Sequence, residues 1–217
     1  MPKPDSSEPK FRRRADDRPD ELLDAALALF VAKGYAHTSV AEIARAAGLS
    51  KGAVYLYFPS KQAILEGLVR RAVTPVATRA LASADLARGD MRRVLSAALR
   101  GIAAGLADPN TFAVPKIIIR EAVVAPEIAE MYRRAVLDTV IPAAVGLIET
   151  AIASGQMRPV DPELTLRSVI GPVALHLLLS EVFGIRPADG LALDRLVENH
   201  LDILFNGLFL PEVPTDV

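Results

Sequence analysis

The 217-residue chain has no cysteine, so disulfides and metal sites built on thiolates are excluded. Its three histidines, His37, His176 and His200, are too far apart along the chain to place two zinc ligands on one helix face. We therefore expect neither a metal nor a cofactor. The lack of cysteine also favours a cytoplasmic protein.

Long apolar runs are also missing. Residues 1–17 are polar and charged and contain prolines, without the apolar core of a signal peptide. The longest apolar stretch, residues 169–179, contains Pro172 and His176 and is about half as long as a membrane span. We expect a buried helix there and no membrane association.

A strong net charge is absent as well, since the formal net charge is −1. Its distribution is uneven: residues 1–82 hold 13 Lys and Arg against 9 Asp and Glu, and residues 83–217 hold 12 against 17. The N-terminal excess is compatible with an anionic partner. The basic run Arg12, Arg13 and Arg14 is either an arm for a DNA minor groove or a solvated tail.

The stretch "GLSKG", residues 48–52, matches the G-x-S-x-G pattern of serine hydrolases, in which a strand must precede the serine. Here the preceding segment opens with a capping box, Ser39-x-x-Glu42, shows helical apolar spacing and stops at Gly48. This pattern predicts a helix before Ser50. The hydrolase interpretation is therefore disfavoured, and we interpret Ser50 as the N-cap of a following helix. We do not expect an enzyme.

These elements have the spacing of a helix-turn-helix. A first helix is predicted in "RPDELLDAALALFVAKG", between an N-cap at Asp17 and a stop at Gly34. The helix that ends at Gly48 is followed by a short turn and a short helix, "KGAVYLYF". The short helix and its flank carry hydroxyl and ammonium groups that suit phosphates. The alternative is that these tyrosines lie in the core and that the lysines lie on a solvated edge.

The segment "GYAHTSVAEIARAAGLSKGAVYLYFPSKQAILEGLV" resembles the DNA-binding region of the TetR family of bacterial transcriptional regulators. The resemblance covers about residues 18–71. It implies an all-α fold, with a disordered basic tail at residues 1–15, a three-helix DNA-binding head at residues 16–62, and a helical body for ligand binding and dimerisation at residues 63–217. Its short third helix would enter the DNA major groove.

The resemblance also implies roles for individual residues. Lys51 and Gly52 would face base edges, and Ser50, which begins the same helix, is also among the expected DNA-binding residues. The residues expected to hold phosphates are Thr38, Tyr55, Tyr57 and Lys61. Two positions, Ala53 and Leu56, depart from the polar residues that many members carry, so base recognition here would depend more on apolar contact.

Beyond residue 61 the pattern predicts helices at residues 61–83, 90–108, 111–124, 126–154, 161–183 and 191–209. Prolines 75, 115, 142 and 172 either bend these helices or start new ones. Bent helices can surround an apolar pocket. The candidate lining residues are Phe112, Met131, Tyr132 and His176. For His176 the alternative is a satisfied core or interface position.

The last two predicted helices carry more apolar surface than one edge of a bundle needs, which favours an isologous homodimer. Either this interface or ordinary core explains Leu175, Leu178, Leu179, Leu193, Leu196, Leu204 and Phe205. We expect a repressor that binds a near-palindromic double-stranded DNA operator and is released by a small, largely apolar effector. A helical interaction module without DNA is the remaining alternative beside the hydrolase.

Overall fold

The computed structural model describes residues 18–86 and 90–209. The expected N-cap Asp17, the basic run Arg12, Arg13 and Arg14, and the predicted tail at residues 1–15 lie outside these ranges. The described residues form helices and one isolated antiparallel bridge, between Met157 and Phe209, and they contain no strand. The predicted all-α class is confirmed.

The chain divides into two compact units, Met1–Val69 and Arg70–Val217. The first unit contains helices α1 (Arg18–Lys33), α2 (Val40–Ala46), α3 (Lys51–Tyr57) and the first part of α4 (Lys61–Ala72). Helix α1 buries one face, as its apolar spacing predicts. The residues on that face are Leu22, Leu23, Ala26, Leu27 and Phe30.

Helix α4 extends the first unit beyond residue 62, because its apolar face is buried at Ile64, Leu65, Leu68 and Val69. Gly67 allows this close packing. A Cβ at Gly67 would lie 2.9 Å from a ring carbon of Phe58 and 3.0 Å from a methyl carbon of Leu23. A larger residue would therefore push α4 away from α1.

The second unit contains α5 (Thr74–Leu86), α6 (Met91–Ala107), α7 (Pro109–Glu121), α8 (Pro126–Tyr132), a π-helical turn (Arg133–Leu137), α9 (Asp138–Ala153), α10 (Pro162–Glu181) and α11 (Leu193–Leu208). Aspartate side chains cap three of these helices. Asp90, Asp108 and Asp161 each accept hydrogen bonds from backbone N–H groups of the following turn.

Three details differ from the sequence prediction. The single helix expected at residues 61–83 is wrong, since α4 ends at Ala72 and α5 begins at Thr74. Pro75 explains the break, because it has no N–H to donate and its ring clashes with the carbonyl four residues earlier. Helix α7 starts before residue 111, because Asp108 caps the backbone of Asn110 and Thr111. The helix expected at residues 126–154 contains the π-helical turn.

Of the four prolines considered above, the other three lie inside helices. Pro115 is within α7, Pro142 within α9 and Pro172 within α10. For Pro115 this decides between the two alternatives, since it does not start a helix. Each interior proline removes one backbone hydrogen bond from its helix.

Two helical stretches among the described residues are long and apolar enough to cross a membrane, by length and composition alone: Pro126–Ala153 and Pro162–Glu181. Pro126–Ala153 is longer than residues 169–179, which were described above as the longest apolar stretch. Core helices of soluble proteins meet the same criterion. Fewer than a third of the residues in either apolar window are buried within this chain, so the second unit presents apolar helix surface that a partner can cover.

Candidate nucleic-acid interface

Local signals on both sides define the short helix α3. The Ser50 hydroxyl oxygen accepts a hydrogen bond from the Ala53 N–H at 3.1 Å, so the predicted N-cap is confirmed. Phe58 is extended at the other end, as expected for a residue that precedes a proline. Ser50 lies between two helices, so the G-x-S-x-G match lacks the strand that hydrolase chemistry requires.

The turn between α2 and α3 has the geometry of a helix-turn-helix. Gly48 has a positive φ of 67°, which glycine adopts without steric cost. The Leu49 N–H donates to the Ala44 carbonyl at 2.8 Å and so closes the end of α2. The turn places α3 against the rest of the head, and Val54 is the residue of α3 that is buried there.

The rest of α3 is mostly exposed and carries most of the expected DNA-binding residues. Lys51, Gly52 and Leu56 are exposed, and 44% of Tyr55 and 37% of Tyr57 remain accessible. The Lys51 ammonium lies 5.8 Å from the centre of the Tyr55 ring. The tyrosines are therefore not core aromatics, and the Tyr55 ring lies beside the Lys51 ammonium.

Lys61 is placed differently from the residues on α3. Its ammonium donates to the Tyr35 carbonyl at 2.7 Å, approaches the Ala36 carbonyl at 3.4 Å, and lies 4.3 Å from the centre of the Tyr35 ring. These contacts tie the start of α4 to the loop after α1. No sequence pattern indicates this pairing, because the partners are 26 residues apart. A phosphate contact by Lys61 stays a prediction.

Thr38 is buried within the head, unlike the residues on α3. It is only 2% exposed. Its hydroxyl donates to the Gly34 carbonyl at 2.8 Å, and its N–H donates to the Tyr35 carbonyl at 3.2 Å. The Thr38 side chain therefore stabilises the turn between α1 and α2, and a phosphate contact by Thr38 stays a prediction.

The capping box at the start of α2 is formed as predicted. The Ser39 hydroxyl accepts from the Glu42 N–H, and the Glu42 carboxylate accepts from the Ser39 N–H at 2.9 Å. Lys33 joins the pair, with its ammonium 2.7 Å from the Glu42 carboxylate. The hydrogen bond from Lys33, together with those from Ser39, lowers the pKa of Glu42 to about 2.

This lowered pKa predicts a pH dependence for the start of α2. The carboxylate stabilises the folded helix above the ordinary pKa of a glutamate, 4.5, and that contribution is lost as the pH falls through about 2. Glu42→Gln should remove this part of the pH dependence, which amide hydrogen exchange of α2 between pH 5 and 2 would measure. The control is Glu149→Gln, because Glu149 is an exposed carboxylate on α9. An unchanged pH profile in Glu42→Gln would contradict the assignment.

Of the four residues expected to line a ligand pocket, two are buried and two are partly buried. Phe112 packs in a core cluster of the second unit, and Met131 is buried. Burial raises the pKa of the half-buried Tyr132 phenol. The His176 ring nitrogen Nε2 is hydrogen bonded to the Leu191 carbonyl, which supports the satisfied alternative. A surface depression of about 410 Å³ has none of these four residues in its lining, which consists of Ala107, Asp189, Leu191, Ala192, Leu193, Asp194 and Arg195.

The residues expected at a dimer interface divide into three groups. Leu193 and Leu204 are buried within this chain, so for them the core alternative holds. Leu175 is exposed. The others are partly buried: Leu178, Leu179, Leu196 and Phe205.

Leu56 is not among the DNA-binding residues expected from the sequence, although it is 83% exposed on α3. The spacing of residues in the sequence contains a signal for this exposed position. Leu56 follows Gly52 by four residues and is out of phase with Val54 and Phe58, which face the head.

Comparisons with known proteins agree with this geometry. Residues 22–68 match the sequence model of bacterial regulatory proteins of the tetR family, and residues 85–199 match the tetracyclin repressor-like C-terminal domain. The HTH-type transcriptional regulator YuxN of Bacillus subtilis is 47% identical over 60 residues, which are 28% of this chain and 21% of that protein. EthR of Mycolicibacterium smegmatis is 42% identical over 65 residues, 28% of this chain and 30% of that protein. The chain thus matches less than a third of the length of either relative.

Solved structures share the fold over most of the chain. A TetR family transcriptional regulator from Pseudomonas syringae has a TM-score of 0.67 at 20% identity, covering 90% of this chain and 99% of that one. SmeT, the repressor of the Stenotrophomonas maltophilia multidrug efflux pump SmeDEF, has a TM-score of 0.72 at 24% identity, covering 91% and 94%. SmeT has also been solved as a complex with triclosan.

Proposed function

The chain belongs to the TetR family of bacterial transcriptional regulators, and from this premise we propose that it is a ligand-responsive repressor that binds a near-palindromic operator as a homodimer. The observation that carries the proposal is the outer face of α3. There, hydroxyl and ammonium donors are exposed on a capped helix of a helix-turn-helix. Such a helix fits the DNA major groove.

In this proposal the residues of α3 have two kinds of contact. Lys51 and Gly52, at the start of the helix, face base edges and select the sequence. Tyr55, Tyr57 and the Ser50 hydroxyl contact phosphates and set the affinity for every sequence. Lys61 adds a further phosphate contact from the start of α4.

A homodimer is supported by the apolar surface of the second unit. Leu164, Ile170 and Leu175 are exposed on α10, a helix that is mostly apolar and little buried. A two-fold interface covers the same patch on both copies. Two heads related in this way recognise half-sites about one helical turn, roughly 34 to 36 Å, apart.

A small, largely apolar effector is supported by the solved complex of SmeT with triclosan and by the apolar helices of the second unit. The chain passes from the first unit to the second within α4. An effector acts through a difference in affinity for two arrangements of that connection. We propose that bound effector tilts α4, changes the separation of the two heads and weakens operator binding.

The first experiment selects bound sequences from a random duplex pool and measures the mass of the free protein by sedimentation at micromolar concentration. We expect a near-palindromic consensus and a dimer. A monomer would contradict the interface. Failure to retain any duplex at low salt would contradict DNA binding and favour the helical interaction module.

The effector is tested on the selected operator. Thermal-shift measurements with a panel of small apolar compounds, triclosan among them, identify binders, and operator affinity is then measured at a saturating concentration of each. A binder that leaves operator affinity unchanged would contradict the proposed coupling while leaving DNA binding intact.

A further inference from the structure

Leu56 is the most exposed large apolar residue of the described head, with 83% of its surface accessible. It lies on α3 among the residues proposed to meet DNA. A single exposed leucine is common on protein surfaces and by itself indicates nothing. Leu56 is distinguished by its direction on the helix and by the neighbouring Gly52.

The buried side of α3 defines where Leu56 points. Val54 is buried against the head, and Phe58, four residues later, contacts α4 at Gly67. At about 100° per residue, Leu56 lies opposite the direction midway between these two. Tyr55 and Tyr57 lie on either side of Leu56, and both are partly exposed. The centre of the outer face is therefore apolar, and its two flanks carry hydroxyl groups.

Gly52 occupies the same face one turn before Leu56. A Cβ at Gly52 would meet nothing closer than the Ser50 hydroxyl oxygen, at 4.0 Å, and its φ is not positive. No contact among the described residues thus requires glycine here, and the missing side chain leaves space beside Leu56 for close approach of a ligand.

We infer that Gly52 and Leu56 form an apolar reading surface, and that Leu56 contacts the C5-methyl group of a thymine in each half-site. The inference rests on the proposed docking of α3 in the major groove. Leucine has no hydrogen-bonding group and cannot read the donors and acceptors of base edges. The thymine methyl is the apolar group that the four base pairs present in that groove. The tyrosines on the two flanks lie where the phosphates of the groove walls would be.

The experiment replaces thymine by deoxyuridine in the selected operator, one symmetric pair of positions at a time. This exchange removes only the methyl group. At one pair the wild-type affinity should fall about fourfold per half-site, the effect of one buried methyl-sized group, and thus about 15-fold for the dimer. Leu56→Ala should bind both duplexes with less than a twofold difference. Its affinity for random DNA should match that of the wild type, which also shows that the head is folded.

Val31→Ala is the matched control, because Val31 is 56% exposed on α1 of the same head. It should discriminate thymine from deoxyuridine as the wild type does. Wild-type binding that is insensitive to every exchange would overturn the inference while the proposed DNA-binding function stands. Full sensitivity in Leu56→Ala would also overturn it. Absence of binding to any duplex by the wild type is a failure of the proposed function instead.

Discussion

Phe30→Ala is expected to abolish DNA binding while the second unit stays folded. Phe30 is buried in the core of the first unit, with its ring centre 5.2 Å from that of Tyr35. Removing a buried phenylalanine side chain costs about 3 to 5 kcal/mol. A unit of this size buries little apolar surface, so the loss is comparable to its whole stability.

Hydrogen exchange followed by mass spectrometry, together with a gel-shift assay, would test this prediction. Peptides from residues 18–69 should lose protection in Phe30→Ala, whereas peptides from α6 to α11 should keep it. Val31→Ala, next to Phe30 but exposed, should behave as the wild type in both measurements. Equal loss of protection in the two units would show that they unfold together. Retained protection of the head would show that Phe30 does not support it.

Lys51→Ala is expected to weaken operator binding by about 1 to 3 kcal/mol per half-site and to narrow the difference between operator and random DNA. The reason is that a contact to a base edge contributes to the affinity for the operator and not to the affinity for random DNA. Lys61→Ala should instead weaken operator and random DNA in equal proportion. Each phosphate that the protein no longer neutralises reduces the slope of log affinity against log salt by about 0.9, and so by roughly two in a dimer.

Lys61→Ala should also destabilise the head. A hydrogen bond from a charged donor to the Tyr35 carbonyl and a cation–π contact with the Tyr35 ring are both removed, at a cost of about 2 kcal/mol. Matched operator and scrambled duplexes across a salt series, with denaturant unfolding of each variant, separate these effects. If each variant lost affinity for the operator and for the scrambled duplex in equal proportion, Lys51 would be another phosphate contact. An unchanged salt slope in Lys61→Ala would show that Lys61 acts only within the fold.

The head could be predicted from its sequence because its helix ends are set by neighbouring residues. Ser39, Glu42 and Ser50 cap helices by hydrogen bonds that span only three residues. Lys61 could not be placed in this way, because its partner Tyr35 is 26 residues away. Thr38 bonds locally, to Gly34 and Tyr35, but the same residue type also binds phosphates in proteins, so its type did not decide its role.

The second unit was less predictable for a different reason. Apolar spacing on a helix indicates a covered face but does not say whether this chain, a second copy or a ligand covers it. Phe112, Leu193 and Leu204 all fit that spacing, and the structure places all three in one core cluster. Pro75 was similarly ambiguous, since a proline in a helical pattern either bends a helix or begins one.

The break between α4 and α5 would let α4 act as a lever arm in the proposed coupling. Its 12 residues give it a length of about 18 Å. A rotation of about ten degrees at Val73 would displace the far end, at Lys61, by about 3 Å, a distance comparable to the length of a hydrogen bond. An effector would thus have to turn only α4 about the break, and not a continuous helix that also contains α5.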